Sequence, residues 1–196
     1  MMSRTHNNFE YIVIKGNKSI SLQGDATQWN DLKFPAENAQ INPVTAKPVF
    51  NYDSPSFTFA RSGNETIVGI GQFGHDYALG TDIEAHFHWE QTAAGTPKFQ
   101  LDYKWYDNGE AIPAFTAITT DSAANVFTYT SGTIGQMCDF PTIDGSSIGG
   151  VSSMFIWKLT RLDTASGDTY TADVTLTEFD VHYQIDAFGS NDEYTK

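Results

Sequence analysis

The residues with the most capacity for chemistry stand in the stretch "DIEAHFHWEQ", 82 to 91. There His86 and His88 are one residue apart, with Glu84 and Glu90 on either side. Imidazole nitrogen and carboxylate oxygen are ligand types of divalent zinc. Imidazole is also the side chain whose charge ordinarily changes between pH 5 and 8. In an extended strand alternate residues share a face. The four polar groups therefore project together, and the two His are separated by roughly 6–7 Å of strand rise. Two imidazoles at that spacing can converge on one ion. His182 lies on a second alternating stretch, with Asp180, Gln184 and Asp186 on its polar face, and His75 and Asp76 lie in the loop "FGHDYALG". A metal centre needs three or four ligands and groups that orient them. The candidate set is His86, His88, His182 and His75.

The elements that must position these groups are strands. Period-two alternation recurs along the chain, whereas helical periodicity is nearly absent. Ile83, Ala85, Phe87 and Trp89 share one face of the first histidine strand. In "KFQLDYKWY", Phe99, Leu101, Tyr103 and Trp105 face one way, and Gln100, Asp102 and Lys104 the other. The link "TAAGTP" suits a hairpin between these two strands. Asn108-Gly109 in "DNGE" is a strong turn signal after the second. "VSSMFIWKLTRL", 151 to 162, is apolar on both faces through its middle, as in a strand that is central or lies under another chain. In "YTADVTLTEFDVHYQIDA" the apolar parity slips by one, which predicts a bulge near Thr177-Glu178. "YIVI", "SFTFA", "ETIVGIGQF" and "NVFTYTS" read as further strands. Residues 24 to 55 hold Pro35, Pro43, Pro48 and Pro55 and read as irregular connection. Eight or more short strands with turn punctuation predict an all-β fold: an antiparallel β-sandwich, jelly-roll-like, as a single domain over 1–196.

Composition limits the partners. The chain has 196 residues, and 24 acidic against 11 basic residues give a net charge of −13. Phosphate backbones are bound by clustered Lys and Arg, so nucleic acid is not expected as a partner. An anionic membrane surface is disfavoured for the same reason. No apolar run approaches transmembrane length, and the first 19 residues lack the features of a signal peptide. The lone Cys138 permits no internal disulfide and reads as a small buried residue.

Two enzyme patterns meet the sequence only in part. The metal-binding cupins open their first motif with Gly, five residues, His, one residue, His, and Gly80, His86 and His88 fit that opening. The glutamate that should follow three or four residues later is missing, because Glu90 comes too early. The second cupin motif has no counterpart. Gly145-Ser146-Ser147-Ile148-Gly149 spells Gly-x-Ser-x-Gly, but a nucleophile elbow also needs a strand-to-helix turn and no helical periodicity follows it; no Walker-type loop is present.

A longer resemblance runs through the chain. "WNDLKFP" (29 to 35), a proline-spaced link ending in "PVFNY", "QFGHDYALGTDIEAHFHW" (72 to 89) and the terminal "FDVHYQIDAFGSNDEYTK" (179 to 196) resemble a family of tailed-bacteriophage structural proteins. Gly74 departs from that pattern, which has Pro before the loop histidine. The resemblance implies a β-sandwich virion component, made in the host cytoplasm, without catalytic residues, cofactor or metal. The favoured reading is a decoration (cement) protein in contact with the major capsid protein: an acidic chain is poorly suited to the DNA-facing side, which favours the capsid exterior, and the strand apolar on both faces with the high aromatic count fits an oligomer, expected as a homotrimer. One alternative is a neck, tail or fibre-base component with carbohydrate binding. Another is a cupin-like metal-dependent enzyme using His86, His88, His182 and His75. On the favoured reading Glu84, His86, His88, Glu90 and His182 are structural or interface residues, bonded across strands or between subunits.

Overall fold

Stretches whose apolar residues alternate bury that face only by packing one sheet on another, and the chain does so. The computed structural model describes residues 11–14, 20–23, 28–61, 63–120, 124–163, 167–190 and 192–193. Among them are β1 (Tyr11–Ile14), β2 (Ile20–Gln23), β3 (Gln28–Pro35), β4 (Gln40–Ile41) and β5 (Val49–Asn51). Then come β6 (Ser56–Phe59), β7 (Thr66–Gln72), β8 (Ile83–Gln91) and β9 (Phe99–Tyr106). The last are β10 (Thr116–Thr119), β11 (Ile134–Asp139), β12 (Met154–Arg161) and β13 (Val174–Ile185). One helical turn, Ala36–Asn38, is the whole helical content of the described residues.

β1 and β2 pair as a two-stranded antiparallel sheet, and Leu22 N–H of β2 donates to Asp186 O just past β13. One main sheet runs β11-β8-β13-β6-β5, and β3 also pairs with β13; the other runs β10-β9-β12-β7-β4. All pairs are antiparallel. From β6 to β13 the chain changes sheet at every connection except β9 to β10. The eight strands thus form two four-stranded layers, β6-β13-β8-β11 and β7-β12-β9-β10, and this is the strand order of a jelly roll.

The core is aromatic. Phe34 lies edge-on to Trp157 and stacks on Phe179, at 5.3 and 5.7 Å between ring centres, and Trp157 meets Phe179 at 4.6 Å. Glycine makes this packing possible. A Cβ at Gly69 would overlap the Trp157 indole, and one at Gly71 the Phe34 ring. Of the expected core residues, Phe87, Trp89, Leu101, Tyr103, Phe155, Trp157, Val181 and Tyr183 are buried. Trp105 is not. It is half-exposed at the end of β9, where its Nε1 donates to the Ser147 hydroxyl.

β12 is the central strand that its two apolar faces predict, and the bulge falls between Leu176 and Glu178 as the parity slip requires. Other expectations are corrected. "TAAGTP" is not a hairpin loop: β8 and β9 lie in opposite sheets, so the link crosses the sandwich, and alternation alone cannot tell the two cases apart. Asn108-Gly109 does turn the chain, with Glu110 N–H donating to Asp107 O, but only Gly109 has positive φ and the pairing strand waits until Thr116. "NVFTYTS" is not a strand. Asn125 is bonded through its side chain to the backbone of Asp139, and Phe127 packs edge-on to Trp89. Residues 24 to 55 are not simply irregular. β3 pairs with β13 over eight residues, yet it exposes most of its side chains, so it carries no alternating signal. The N-terminal stretch 1–10 lies outside the described residues. No helix of the described residues is long and apolar enough to cross a membrane.

Trp157→Ala should cost about 3–5 kcal/mol by chemical denaturation, the range for removing a packed aromatic. Gly69→Ala should cost about 1–3 kcal/mol by overpacking. A Trp157→Ala loss under about 1 kcal/mol would place that face outside the core.

Candidate functional site

The outer face of the β8/β13 sheet gathers three of the four candidate histidines. Parity sets their direction: Ile83, Ala85, Phe87 and Trp89 take the core face of β8, so Glu84, His86, His88 and Glu90 take the other. On β13 the extra residue at the bulge returns Phe179, Val181 and Tyr183 to the core and sends Glu178, Asp180 and His182 outward. Register then aligns them. His86 lies opposite Asp180, His88 opposite Glu178, and Glu84 opposite His182. The flanking strands extend the rows, with Asp139 of β11 beside His86, and Lys33 and Asp31 of β3 beside Asp180 and His182. Across the sheet the sequence Asp139, His86, Asp180, Lys33 alternates acid with basic side chain.

Asp180 is the centre of the group. It is only 2% exposed, and His86 only 3%, although both point away from the core. His86 Nε2 lies 2.7 Å from Asp180 Oδ1, while His88 Nε2 and His182 Nε2 stand 3.9 and 4.0 Å from Oδ2. The His86 ring centre is 5.1 Å from that of His88 and 4.4 Å from that of His182, both edge to face. The two outer imidazoles therefore cover the inner one and shield the carboxylate. Asp180 Oδ1 has no aligned hydrogen-bond donor, even though His86 is at contact distance. A buried carboxylate needs polar partners, and three imidazoles stand within 4.0 Å of this one. His182 has a second carboxylate, Asp31, 3.1 Å from its Nε2.

The other candidates sort as follows. Glu84 accepts a hydrogen bond from the Thr142 hydroxyl. Glu90 lies beyond the cluster, opposite Thr175 and Gly135. Lys104 of β9 does not reach these groups: it is in the opposite sheet, with its ammonium over the Phe115 ring. His75 does not join the cluster. It lies in the loop between β7 and β8, with one ring nitrogen on Ser190 and the other on Ser152. The metal set His86, His88, His182 and His75 is therefore not assembled as four. The set that is assembled contains Asp180 instead. His86, Asp180 and His182 bring ligand atoms within 4.8 Å of one another, and so do His88, Glu178 and Asp180. Either trio has donors of the types a divalent cation takes, and both would compete for Asp180. In the sequence Asp180 stands out only as a polar neighbour of His182. Its place opposite His86 follows from the bulge, which the parity slip did signal. Cys138 is buried, and burial pushes its thiol well above the ordinary range, so it is not poised as a nucleophile.

A second polar network lies at the end of the same strand. Tyr183 donates its phenol to Asp76, whose carboxylate also accepts from the Asn30 amide at 2.8 Å. Burial, and then the negative charge of Asp76, push the Tyr183 phenol up to about 12. The folded state thus holds this proton more tightly than the unfolded state does. The stability it contributes is present below about pH 10 and is lost as pH rises toward 12.

Two outcomes are expected. His86→Gln with His88→Gln should leave the β-sheet circular dichroism spectrum intact, and the purified wild-type chain should hold no stoichiometric Zn, Fe, Mn or Ni by elemental analysis. Stoichiometric metal that the double variant loses would overturn the structural reading of these histidines. Asp76→Asn should lower the Tyr183 pKa in an ultraviolet phenolate titration while leaving it above the ordinary value, because burial remains. Comparison of the chain with known protein families and with curated proteins finds no match.

Proposed function

We propose that the chain is a structural protein of a tailed-bacteriophage particle, a decoration (cement) protein on the capsid exterior that associates as a homotrimer and contacts the major capsid protein. The observation that carries the reading is the open edge of the jelly roll at β5. This three-residue strand ends its sheet, and Val44, Val49 and Tyr52 around it are 87%, 68% and 87% exposed. A sheet edge offers unpaired backbone groups. Exposed apolar side chains beside such an edge mark a contact surface. The net charge of −13 favours the outer side of a shell over its DNA-facing side. The resemblance of four segments to phage structural proteins points the same way. In this role Glu84, His86, His88, Glu90 and His182 stiffen the β8/β13 face.

A groove of about 550 Å³ favours a second reading, a neck, tail or fibre-base component that binds carbohydrate. Trp29 and Phe188 line it and are 54% and 70% exposed, and Asn30 and Asp76 line it with them. Aromatic faces stack on sugar rings, and amide and carboxylate groups bond hydroxyls.

Sedimentation of the purified chain should give a trimer, and Val49→Lys with Tyr52→Glu should give a folded monomer. The trimer should bind shells of the major capsid protein. A chain that is monomeric and does not bind such shells would sink the proposal. Glycan binding that Trp29→Ala abolishes, without shell binding, would favour the second reading.

A further inference from the structure

The histidine left out of the cluster has a geometry of its own. His75 Nε2 is 2.7 Å from Ser152 Oγ, and His75 Nδ1 is 2.6 Å from Ser190 Oγ. The hydrogen bonds decide the tautomer. The single hydroxyl proton of Ser190 goes to the carbonyl of Asp192, at 2.5 Å. Ser190 must therefore accept from His75, which puts the ring proton on Nδ1. Nε2 then carries the lone pair, and the Ser152 hydroxyl donates to it. A hydroxyl donating to Nε2 of an imidazole whose Nδ1–H is held by a third group is the arrangement that activates a serine nucleophile.

The backbone agrees. Ser152 has φ of +66°, the only positive φ at a non-glycine among the described residues. Residues held in that region cluster at functional sites. The loop that carries Ser152 is fixed against the loop that carries His75. Phe73 N–H donates to Ser153 O, and Tyr77 N–H closes the turn onto Gly74 O. Both side chains line an open groove of about 630 Å³ with Gln72, Asp107, Asn108 and Glu193. The volume suits a small organic molecule. Gln72 and Asn108 place side-chain amides in the lining, groups of the donor type that an oxyanion accepts from. Asp107 and Glu193 repel anions, which restricts the substrate to a neutral or cationic ester.

We propose that Ser152 and His75 are catalytic residues of a hydrolase site for neutral or cationic acyl esters, with Ser190 as the positioning residue. This goes beyond the structural role and does not depend on it. Ser152 Oγ bonds to the ester carbonyl carbon, and its proton passes to His75 Nε2. The bond from that carbon to the alcohol oxygen breaks, and Nε2 gives its proton to the departing alkoxide, so the alcohol leaves. Water then attacks the acyl-serine, its proton passing through Nε2 to Ser152 Oγ, and the carboxylic acid leaves. With a neutral hydroxyl rather than a carboxylate behind the imidazole, turnover is slow.

The test uses the full chain with a fluorophosphonate probe and p-nitrophenyl butyrate. The probe should add its mass to the peptide containing Ser152, and His75→Asn should abolish the labelling. Ser152→Gly, chosen because glycine accepts the positive φ, should lower hydrolysis at least about 100-fold with the circular dichroism spectrum unchanged. Ser190→Ala should lower kcat about tenfold at constant KM, the sign of a misaligned base rather than lost binding. A folded wild-type chain that the probe leaves unlabelled at Ser152, or hydrolysis that Ser152→Gly leaves unchanged, would overturn the proposal and leave the three side chains as a clasp for the C-terminal segment.

Discussion

One extra residue in β13 decides what the long strand can hold. Before Thr177 the inward positions are Val174 and Leu176; after it they are Phe179, Val181 and Tyr183. Without the bulge the second half of the strand would turn Glu178, Asp180 and His182 into the core and Phe179 out to solvent, since a one-residue slip moves every side chain to the other face. The bulge also keeps the strand in register with β8 on both sides of the defect, and the Thr177 hydroxyl donates to the His88 carbonyl there. Two sets of contacts follow from this single irregularity. Inside, Phe179 reaches Trp157 and Phe34. Outside, Asp180 arrives opposite His86. The aromatic core and the imidazole–carboxylate cluster are the two faces of one register choice.

The charge balance explains why imidazole does work that lysine or arginine would do elsewhere. With 24 acidic and 11 basic residues, cations are scarce. One of them, Arg161, is fully buried and donates to the carbonyls of Phe59 and Tyr170 and to Asp168. It closes one end of the sandwich, where β6, β12 and the approach to β13 meet. On the outer face of the β8/β13 sheet, Asp180 has Lys33 as its neighbour on β3, and that lysine reaches toward Asp31 at 3.6 Å. The carboxylate of Asp180 is left to the histidines. A planar ring suits the position, because it can contact the carboxylate through one edge and cover a second ring with its face.

Legibility in the sequence followed from which faces are buried. Strands β8, β9 and β13 alternate because one face meets the core, and their inward and outward residues were readable from parity, whereas β12 is apolar on both faces through its middle and parity does not mark its inward side. β3 was hidden: seven of its eight residues are not fully buried, with Phe34 the one buried side chain and Leu32 packed partly against the core. β11 was hidden for a related reason, since "IGQMCD" carries one buried residue, Cys138. Strand pairing was not readable at all. Both β8 and β9 present an apolar face to the same core, so hairpin and crossover give the same pattern, and only the three-dimensional register shows that Lys104 is far from the histidine face. The cluster itself was half legible. The two histidines of β8 and their direction came from alternation, whereas Asp180 acquires its importance from a partner on a strand 94 positions away in the chain.

The two histidine environments differ in a way that follows from the elements that hold them. His86, His88 and His182 stand on paired strands, where backbone hydrogen bonds on both edges fix the spacing and adjacent rings shield one another. Such positions are rigid and crowded. They suit compensation of a buried charge, and they leave little room for a substrate. His75 stands on a connection between sheets, where a turn and two loop contacts hold the ring beside an open groove, with both nitrogens engaged by hydroxyls rather than carboxylates. Connections of this kind leave a rigid scaffold while exposing their side chains, which is why reactive groups concentrate on them. The jelly roll thus uses histidine twice, with strand geometry deciding for charge compensation in one place and loop geometry leaving room for proton transfer in the other.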